Sequence, residues 1–306
     1  MSRLKELSRT VLDKQLRAGK LQLNVGPYVY RLQTNLPGVA QGLAALYGDF
    51  ELAEHDQFTD YNVALCFAGP ISRLLGRAEF LFDNRRPFGS FEPDNAYAFM
   101  EWGMNWCVSV HANEYLKLHA SVVSKGGRAI VFPGIPGAGK STLCAALGLR
   151  GRRVLSDEHA LILPGTTEVA PLYRPVSLKN QSIKIIREFA KDAVFGPPSG
   201  NTHKGVVAHL KADLAPDSHD RATVPVTTMI FPRYAIDAPQ QLTRRSKTQS
   251  FIIAAFHSFN YSLLGSAGFS AMETLINAVQ CYDLVYRDLD WAIDTLNDLH
   301  SQGQPG

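Results

Sequence analysis

The sequence predicts an α/β protein with mixed α+β additions, in which an α+β accessory module over residues 1–112 precedes a second domain over residues 113–306. A glycine-rich loop at residues 134–141 lies between an apolar strand pattern and a helical pattern. Strand and helix patterns then alternate to the end of the chain. Short turns also join neighbouring strand patterns, such as 116–123 with 128–132, which indicates antiparallel hairpins. A simple doubly wound parallel sheet is therefore not expected.

The elements of the first module follow from periodicity and turn residues. In order they are a helix (4–16), a hairpin (21–25 and 28–32), a helix (37–47), two strands (60–67 and 78–82) and a long helix ending near residue 111. Asp94 is expected to cap that last helix. No motif in this module indicates a chemistry.

The elements of the second domain are read in the same way. After the first hairpin and the loop come a helix to residue 149, a strand (154–156), a hairpin (159–163 and 168–170), a helix (179–189), two strands (205–210 and 224–231), two helices (247–264 and 270–281), a strand (284–286) and a helix from residue 291. This order predicts a sheet core with antiparallel additions.

Composition narrows the class of protein. The chain has 306 residues, of which 45% are hydrophobic and 19% charged, so disorder is not expected. The net charge of +3 gives no reason to expect nucleic acid as a partner. The four cysteines are widely spaced and are expected to be reduced thiols. No apolar run approaches the roughly 18 residues of a membrane span, and no signal-peptide core begins the chain. We expect a cytoplasmic protein, with homo-oligomerisation left open.

Residues 134–141 read Gly-Ile-Pro-Gly-Ala-Gly-Lys-Ser and match the phosphate-binding loop pattern GxxxxGK[ST] at every fixed position. Glycines let backbone N–H groups point at phosphate oxygens, and the following helix adds its positive N-terminal end. Lys140 is expected to contact the β and γ phosphates of ATP, and Ser141 to bind Mg²⁺. The residues predicted to hold the nucleotide are Gly134, Gly137, Ala138, Gly139, Lys140, Ser141 and Thr142.

Two acidic residues and a histidine are the further candidates. Asp157 and Glu158 follow the predicted strand 154–156. If that strand lies beside the loop strand, its carboxylates can divide metal binding from proton abstraction; a solvated acidic turn is the alternative. His119 precedes the loop by one hairpin and is either structural or part of the same site. The sequence lacks the NKxD and DxxG motifs of GTPases, and its strand before Asp157 is shorter than in motor ATPases, so a small kinase is favoured.

These motifs resemble a known family. Residues 118–120, the glycine-containing turn, the GxxGxGKS loop and Ser156-Asp157-Glu158 resemble the catalytic core of HPr kinase/phosphorylase over residues 115–165. Segments 101–107, 174–180, 202–205, 208–209, 231–234 and 259–261 resemble the HPr kinase-related proteins called HprK-related kinase A. The resemblance implies a P-loop core like those of HPr kinase and phosphoenolpyruvate carboxykinase. It also implies that Asp157 is the general base, aided by His119, and that Glu158 binds metal.

The sequence departs from the HPr kinase pattern at two places. Thr142 stands where HPr kinase usually has a glutamate, and the glycine- and arginine-rich signature near the C-terminal end is not found. These departures argue against HPr as the substrate and against the reverse phosphorolysis reaction.

Three basic residues in polar, turn-flanked segments, Arg174, Lys179 and Lys204, are candidate clamps for the transferring phosphoryl group, with solvated surface cations as the alternative. The resulting hypothesis is an ATP- and Mg²⁺-dependent kinase acting on a serine hydroxyl of a protein or peptide. A small-molecule kinase and a non-catalytic ATP-binding regulatory protein remain open.

Overall fold

The computed structural model describes residues 2–54, 56–202, 204–212 and 222–302, and the chain divides into two compact units. The first unit comprises Met1–Ala112 and Tyr173–Arg221, and the second comprises Asn113–Leu172 and Ala222–Gly306. One boundary between these units follows Ala112, and the segment Tyr173–Arg221 is part of the first unit. Long-range contacts, which leave no local pattern, decide which unit that segment joins. The division into functional domains at residue 112 stays a prediction.

The elements are as follows. The helices are α1 (Arg9–Ala18), α2 (Val39–Leu46), α3 (Pro70–Leu74), α4 (Ala96–His111), α5 (Lys140–Leu149), α6 (Gln181–Phe189), α7 (Lys247–Phe256), α8 (Tyr261–Leu264), α9 (Ser266–Ala278) and α10 (Leu289–Gln302). The strands are β1 (Leu21–Val25), β2 (Tyr28–Thr34), β3 (Tyr61–Phe67), β4 (Ala78–Phe82), β5 (Leu116–Lys125), β6 (Arg128–Pro133), β7 (Arg153–Ser156), β8 (His159–Ile162), β9 (Glu168–Ala170), β10 (Val176–Lys179), β11 (Ser199–Thr202), β12 (Gly205–Leu210), β13 (Val224–Tyr234), β14 (Gln241–Arg244) and β15 (Gln280–Tyr286).

The first unit contains two sheets. Strands β1 to β4 form one sheet in sequence order, in which β2 and β3 are parallel and the outer pairs antiparallel. The predicted hairpin of β1 and β2 is confirmed, and it turns at Gly26 with φ of +61°. Strands β10, β12 and β11 form a second, antiparallel sheet. Apolar side chains such as Leu23, Leu43 and Phe80 are buried in this unit.

Two helix starts in the first unit differ from the sequence analysis. A helix was expected from residue 4, but α1 begins at Arg9, because the Ser8 side chain accepts a hydrogen bond from the Val11 N–H and caps the helix there. Asp94 was expected to cap the long helix. It lies instead in a 3-10 turn, Pro93–Asn95, and α4 begins after it without a side-chain cap.

The second unit is built on one mixed sheet with the order β14-β15-β13-β6-β5-β8-β9, in which β7 also pairs with β5. Strands β6, β13 and β15 are mutually parallel. The pairs that β5 makes with β6, β7 and β8 are antiparallel. The chain is therefore of the mixed α/β class with several mixed sheets. The sheet is closely packed, with Val122, Phe132 and Leu143 fully buried.

The predicted helix over residues 247–264 is wrong. α7 ends at Phe256, residues 257–260 are not helical, and the short α8 follows. The cause is tertiary, since Ser258 forms an antiparallel bridge with Leu118 of β5. The next predicted helix begins earlier than expected, at Ser266, and β15 is longer than the predicted strand 284–286.

Among the described residues, no helix is both long enough and apolar enough to cross a membrane.

Candidate functional site

The loop of residues 134–139 connects β6 to α5. Gly134, Gly137 and Gly139 have φ of +153°, +86° and +94°, backbone conformations that glycine adopts without steric cost. Helix α5 begins at Lys140, directly after Gly139, and has no side-chain cap. The N–H groups of its first turn are therefore available at the loop. The glycines predicted from the motif thus have the conformations that require glycine.

Lys140 is buried, and its ammonium group lies inside the loop. The Nζ atom donates hydrogen bonds to the carbonyl oxygens of Gly134 at 2.7 Å and Ile135 at 3.1 Å. The loop thus combines a buried cation with the N-terminus of a ten-residue helix, and both attract a phosphate group. Ser141 and Thr142 follow in the first turn of α5 and are partly exposed. These residues fit the triphosphate of ATP.

Two tyrosines support the loop, and the sequence analysis identified neither. The Tyr286 hydroxyl donates to the carbonyl oxygen of Gly139 at 3.1 Å. The backbone N–H of Tyr234 donates to the carbonyl oxygen of Ala138, also at 3.1 Å. Burial raises the pKa of Tyr286, so its hydroxyl stays protonated and remains a donor. The tyrosines end β15 and β13, which run parallel to β6, so their C-terminal ends meet at the edge of the sheet where the loop begins.

Strand β5 connects the loop to the acidic residues. Ala120 of β5 pairs with Pro133, the last residue of β6, and Val122 pairs with Ser156, the last residue of β7. The sequence analysis expected β7 to lie beside β6, but β5 lies between them. Two strand spacings, about 10 Å, therefore separate β6 from β7. Both strands end at the same edge of the sheet, with His119 of β5 between those ends.

Asp157 directly follows β7 and is buried. The Ser121 hydroxyl lies 2.9 Å from the Asp157 carboxylate oxygen Oδ1 and 2.9 Å from its carbonyl oxygen. Burial and the charge of Asp157 both raise the pKa of Cys144 in α5. The Asp157 carboxylate is therefore held against β5 by Ser121, and Cys144 of α5 contacts the carbonyl oxygen of the preceding residue, Ser156.

His119 and Glu158 form a more accessible pair. The Nε2 atom of His119 lies 3.4 Å from Oε2 of Glu158, and the two side chains are 26% and 29% exposed. His119 also pairs in register with His159 of β8. The structure thus brings His119, Asp157 and Glu158 to one edge of the sheet, with the Glu158 carboxylate in contact with His119.

The sequence analysis placed residues 257–260 inside a helix and gave them no role in the site, although segment 259–261 was part of the resemblance. The backbone N–H of His119 donates to the carbonyl oxygen of His257 at 2.8 Å. The Phe259 ring stacks on His159, with a centroid distance of 4.8 Å, and lies 5.6 Å from the His119 ring. Besides that resemblance, the absence of Asp, Glu, Lys and Arg over residues 248–272 sets this stretch apart in the sequence.

The three clamp candidates lie in the first unit. Arg174 is buried, and its guanidinium group pairs with the Glu101 carboxylate and donates to the Asn105 side chain. These partners account for Arg174 as a structural residue, and we do not retain it as a clamp. Lys179 ends β10 and is partly exposed. The ammonium group of Lys204 lies 5.0 Å from the Trp102 ring centroid. His203, in the segment 202–205 of the resemblance, lies outside the described residues.

A Mg²⁺ ion at this site would depend on the nucleotide. Within the described ranges, no group of three or more His, Cys, Asp or Glu side chains is arranged to hold a metal ion. Mg²⁺ in nucleotide sites is typically held by one or two carboxylates together with phosphates and water. Ser141 in α5 and the acidic residues after β7 fit that kind of ligand set. The residues therefore suit a metal that arrives with ATP.

Comparisons with known proteins give little more. No family model matches the chain, and no curated protein matches it. Among solved structures, the chain is similar to the Hpr(Ser) kinase/phosphatase from Coxiella burnetii, with 13% sequence identity and a TM-score of 0.28 over 61% of this chain and 96% of that one. At these values the likeness carries no conclusion about function, and the resemblance seen in the sequence segments stays a prediction.

Proposed function

We propose that the protein is an ATP- and Mg²⁺-dependent kinase that transfers the γ-phosphoryl group to a serine hydroxyl of a protein or peptide. The observation that carries the proposal is the edge of the second unit's sheet. There the loop with Lys140 follows β6, His119 lies on the adjacent β5, and Asp157 and Glu158 follow β7. A phosphate-binding loop with a histidine and two carboxylates nearby is suited to phosphoryl transfer.

Each residue would have the role that its surroundings in the site favour. Lys140 and the N-terminus of α5 bind the phosphates and neutralise their charge. Asp157, fixed by Ser121, accepts the proton of the acceptor hydroxyl, with His119 assisting. Glu158 contributes to Mg²⁺ binding together with Ser141. The accessible position of His119 and Glu158 suits contact with an arriving acceptor.

The reaction is a single displacement at phosphorus. The serine oxygen forms a bond to the γ-phosphorus as the bond from that phosphorus to the β–γ bridging oxygen breaks, and ADP leaves. The proton of the serine hydroxyl passes to the Asp157 carboxylate. When bound, Mg²⁺ would neutralise charge on the β and γ phosphates. The roles of Lys179 and Lys204, which lie in the first unit, stay predictions from the sequence.

The test is incubation with γ-labelled ATP and Mg²⁺, separately with a cell lysate and with a metabolite extract. We expect label on protein serine in the wild type. Asp157→Asn is expected to lower the transfer rate about 10²- to 10⁴-fold, the usual contribution of a general base, while ATP binding persists. Glu158→Gln is expected to raise the Mg²⁺ concentration required. Asp290→Asn, which changes an exposed carboxylate paired with Arg150, is the matched control.

The outcomes separate the alternatives. Label that appears only in small molecules would indicate a metabolite kinase. ATP binding without any labelled product, in the wild type as in Asp157→Asn, would indicate a regulatory ATP-binding protein. Equal transfer rates for Asp157→Asn and Asp290→Asn would remove Asp157 as the base. Absence of ATP binding would refute the whole proposal.

A further inference from the structure

Residues 257–260 extend the sheet at the base of the phosphate-binding loop. Ser258 forms an antiparallel bridge with Leu118 of β5, and the Phe259 N–H donates to the Lys117 carbonyl oxygen at 2.9 Å. Strand β8 already pairs with residues 116–119 along one edge of β5. Residues 257–260 must therefore pair along the opposite edge, the same edge that β6 occupies at residues 120–125. This segment therefore continues from the place where β6 ends and the loop begins.

This pairing sets His257 beside His119. Ser258 and Leu118 are opposite each other in an antiparallel pair, so His257 is opposite His119. Residues opposite each other in such a pair have side chains on the same face of the sheet. The His257 and His119 side chains therefore share one face. His159 is opposite His119 on the other side. The three histidines thus form a row across three neighbouring chain segments. Its His257 end lies next to the loop, where burial, His119 and Lys140 lower the pKa of His257 and so favour its neutral form.

The segment is held firmly against β5. The Ser258 hydroxyl donates to the carbonyl oxygen of Lys117 at 2.8 Å. The side chain of Asn260 accepts from the Lys117 N–H at 2.9 Å and donates to the Tyr115 carbonyl oxygen at 2.8 Å. Asn260 itself is buried. The backbone that carries the exposed rings of this region is therefore fixed by hydrogen bonds.

Two exposed phenylalanines flank the histidine pair. Phe256 is 80% exposed, and its ring centroid lies 5.2 Å from that of His257. Phe259 is 43% exposed and lies against His119 and His159. Ile252, 60% exposed, precedes Phe256 by one helical turn and extends the same face of α7. Since residues 248–272 contain no Asp, Glu, Lys or Arg, this surface suits an uncharged, apolar partner.

We propose that residues 256–259 form the acceptor side of the site, where His257 hydrogen-bonds to the acceptor hydroxyl and Phe256 and Phe259 bind an apolar side chain next to it in a peptide. This inference rests on the proposed kinase function and specifies its substrate class. The acceptor is a serine flanked by an apolar residue, and neither an acidic nor a basic sequence is favoured. A charged flanking residue would lose its hydration against two aromatic rings without gaining an ionic partner in this segment.

The experiment uses four pools of serine peptides, degenerate except for leucine, glycine, aspartate or lysine fixed beside the serine. Two quantities are measured for each pool with the full-length protein. One is retention on immobilised protein loaded with a non-hydrolysable ATP analogue and Mg²⁺, and the other is label transferred from γ-labelled ATP. For the wild type we expect the leucine pool to exceed the aspartate and lysine pools about tenfold, at the low end of what an apolar pocket discriminates.

The variants assign the effect to residues. Phe259→Ala and Phe256→Ala are each expected to bring the leucine-to-aspartate ratio close to one, while Phe259→Leu keeps most of it. His257→Gln is expected to lower transfer to all pools alike and leave the ratio unchanged. The matched control is Phe58→Ala, since Phe58 is 79% exposed in the first unit and its loss should leave the ratio unchanged. Melting temperatures verify that each variant is folded.

Several results would overturn the inference. Equal retention of all four wild-type pools would do so, as would a preference for a charged pool or a preference that survives Phe259→Ala. A change in oligomeric state in Phe256→Ala without a change in the ratio would show that the surface joins two copies of the chain. Selective retention of the leucine pool without label transfer would support the acceptor side and refute the kinase function, so the two failures are distinguishable.

Discussion

The Tyr286 hydroxyl occupies the space in which a side chain at Gly139 would lie. A Cβ atom at Gly139 would be 2.3 Å from the Tyr286 oxygen and 3.3 Å from the nearest carbon of that ring, and Gly139 has φ of +94°. Gly139→Ala should therefore destabilise the loop for two separate reasons. One is the backbone conformation, and the other is chiefly the contact with the Tyr286 oxygen, since the next nearest atoms, Cζ of Tyr286 and Cβ of Tyr234, are both at 3.3 Å.

The two contributions can be separated in size. The left-handed backbone costs a non-glycine residue about 1–2 kcal/mol, and overpacking a well-packed site typically costs about 1–3 kcal/mol. Tyr286→Phe removes the oxygen and loses one hydrogen bond, worth about 0.5–1.5 kcal/mol. The Gly139 carbonyl oxygen still accepts from the Leu143 N–H at 2.9 Å, so that loss should be at the low end. In the Tyr286→Phe background, Gly139→Ala should then cost mainly the backbone contribution.

The measurement is a double-mutant cycle. The free energy of opening is determined from hydrogen exchange of the α5 amides in the wild type, both single variants and the double variant. We expect Gly139→Ala to be less destabilising by about 1–2 kcal/mol when Tyr286 is phenylalanine, within the usual range for residues in contact. Equal costs in both backgrounds would refute the role assigned to the Tyr286 hydroxyl, since the backbone alone would then explain the effect.

Three further predictions concern buried or partly buried polar groups. Arg174→Met should destabilise the first unit by about 3–5 kcal/mol because Glu101 would stay buried without its cation; exchange of the α4 amides measures this, and a change below 1 kcal/mol would contradict it. The ammonium groups of Lys211 and Lys5 lower the pKa of Asp49 to about 2. Its carboxylate therefore adds stability above pH 4 that is lost as the pH falls toward 2. Because solvent screens these accessible charges, Asp49→Asn should remove only about 1 kcal/mol at pH 7 and flatten that acid dependence in urea titrations. Ser121→Ala should slow phosphoryl transfer about tenfold with ATP affinity kept, since it removes a charge-assisted hydrogen bond to Asp157 worth about 1.5 kcal/mol or more; an unchanged rate would show that Asp157 needs no such support.

The sequence predicts well those features that depend on neighbouring residues. The β1–β2 hairpin and the strand–loop–helix unit around Lys140 are found where expected, because turn glycines and apolar periodicity act locally. The packing of the segment Tyr173–Arg221 with the first unit is not indicated by any pattern of neighbouring residues. It depends on contacts such as Arg174 with Glu101 and Lys211 with Asp49, between residues more than 70 positions apart.

The candidate site divides in the same way. The loop glycines and Lys140 were predicted from one motif, since a phosphate-binding loop is a continuous segment. Tyr286 and His257 were missed because they reach the site only through strand order and through a break in a predicted helix. Helical periodicity over residues 247–264 is real in α7, but Asn260 forms hydrogen bonds with β5 and gives residues 257–260 a better arrangement than a helix does.

β5 is the element on which the whole candidate site depends. Along one edge, β5 pairs with β6, which leads into the loop of Lys140, and then with the segment of His257. Along the other edge, it pairs with β7, which ends before Asp157, and then with β8, which contains His159. The proposed nucleotide and acceptor sides are thus two consecutive stretches along one strand edge, and His119 lies where they meet. A motif search finds the nucleotide side because its residues are contiguous. The acceptor side is found only once the register of β5 with its neighbours is known, because that register alone places His257 beside His119.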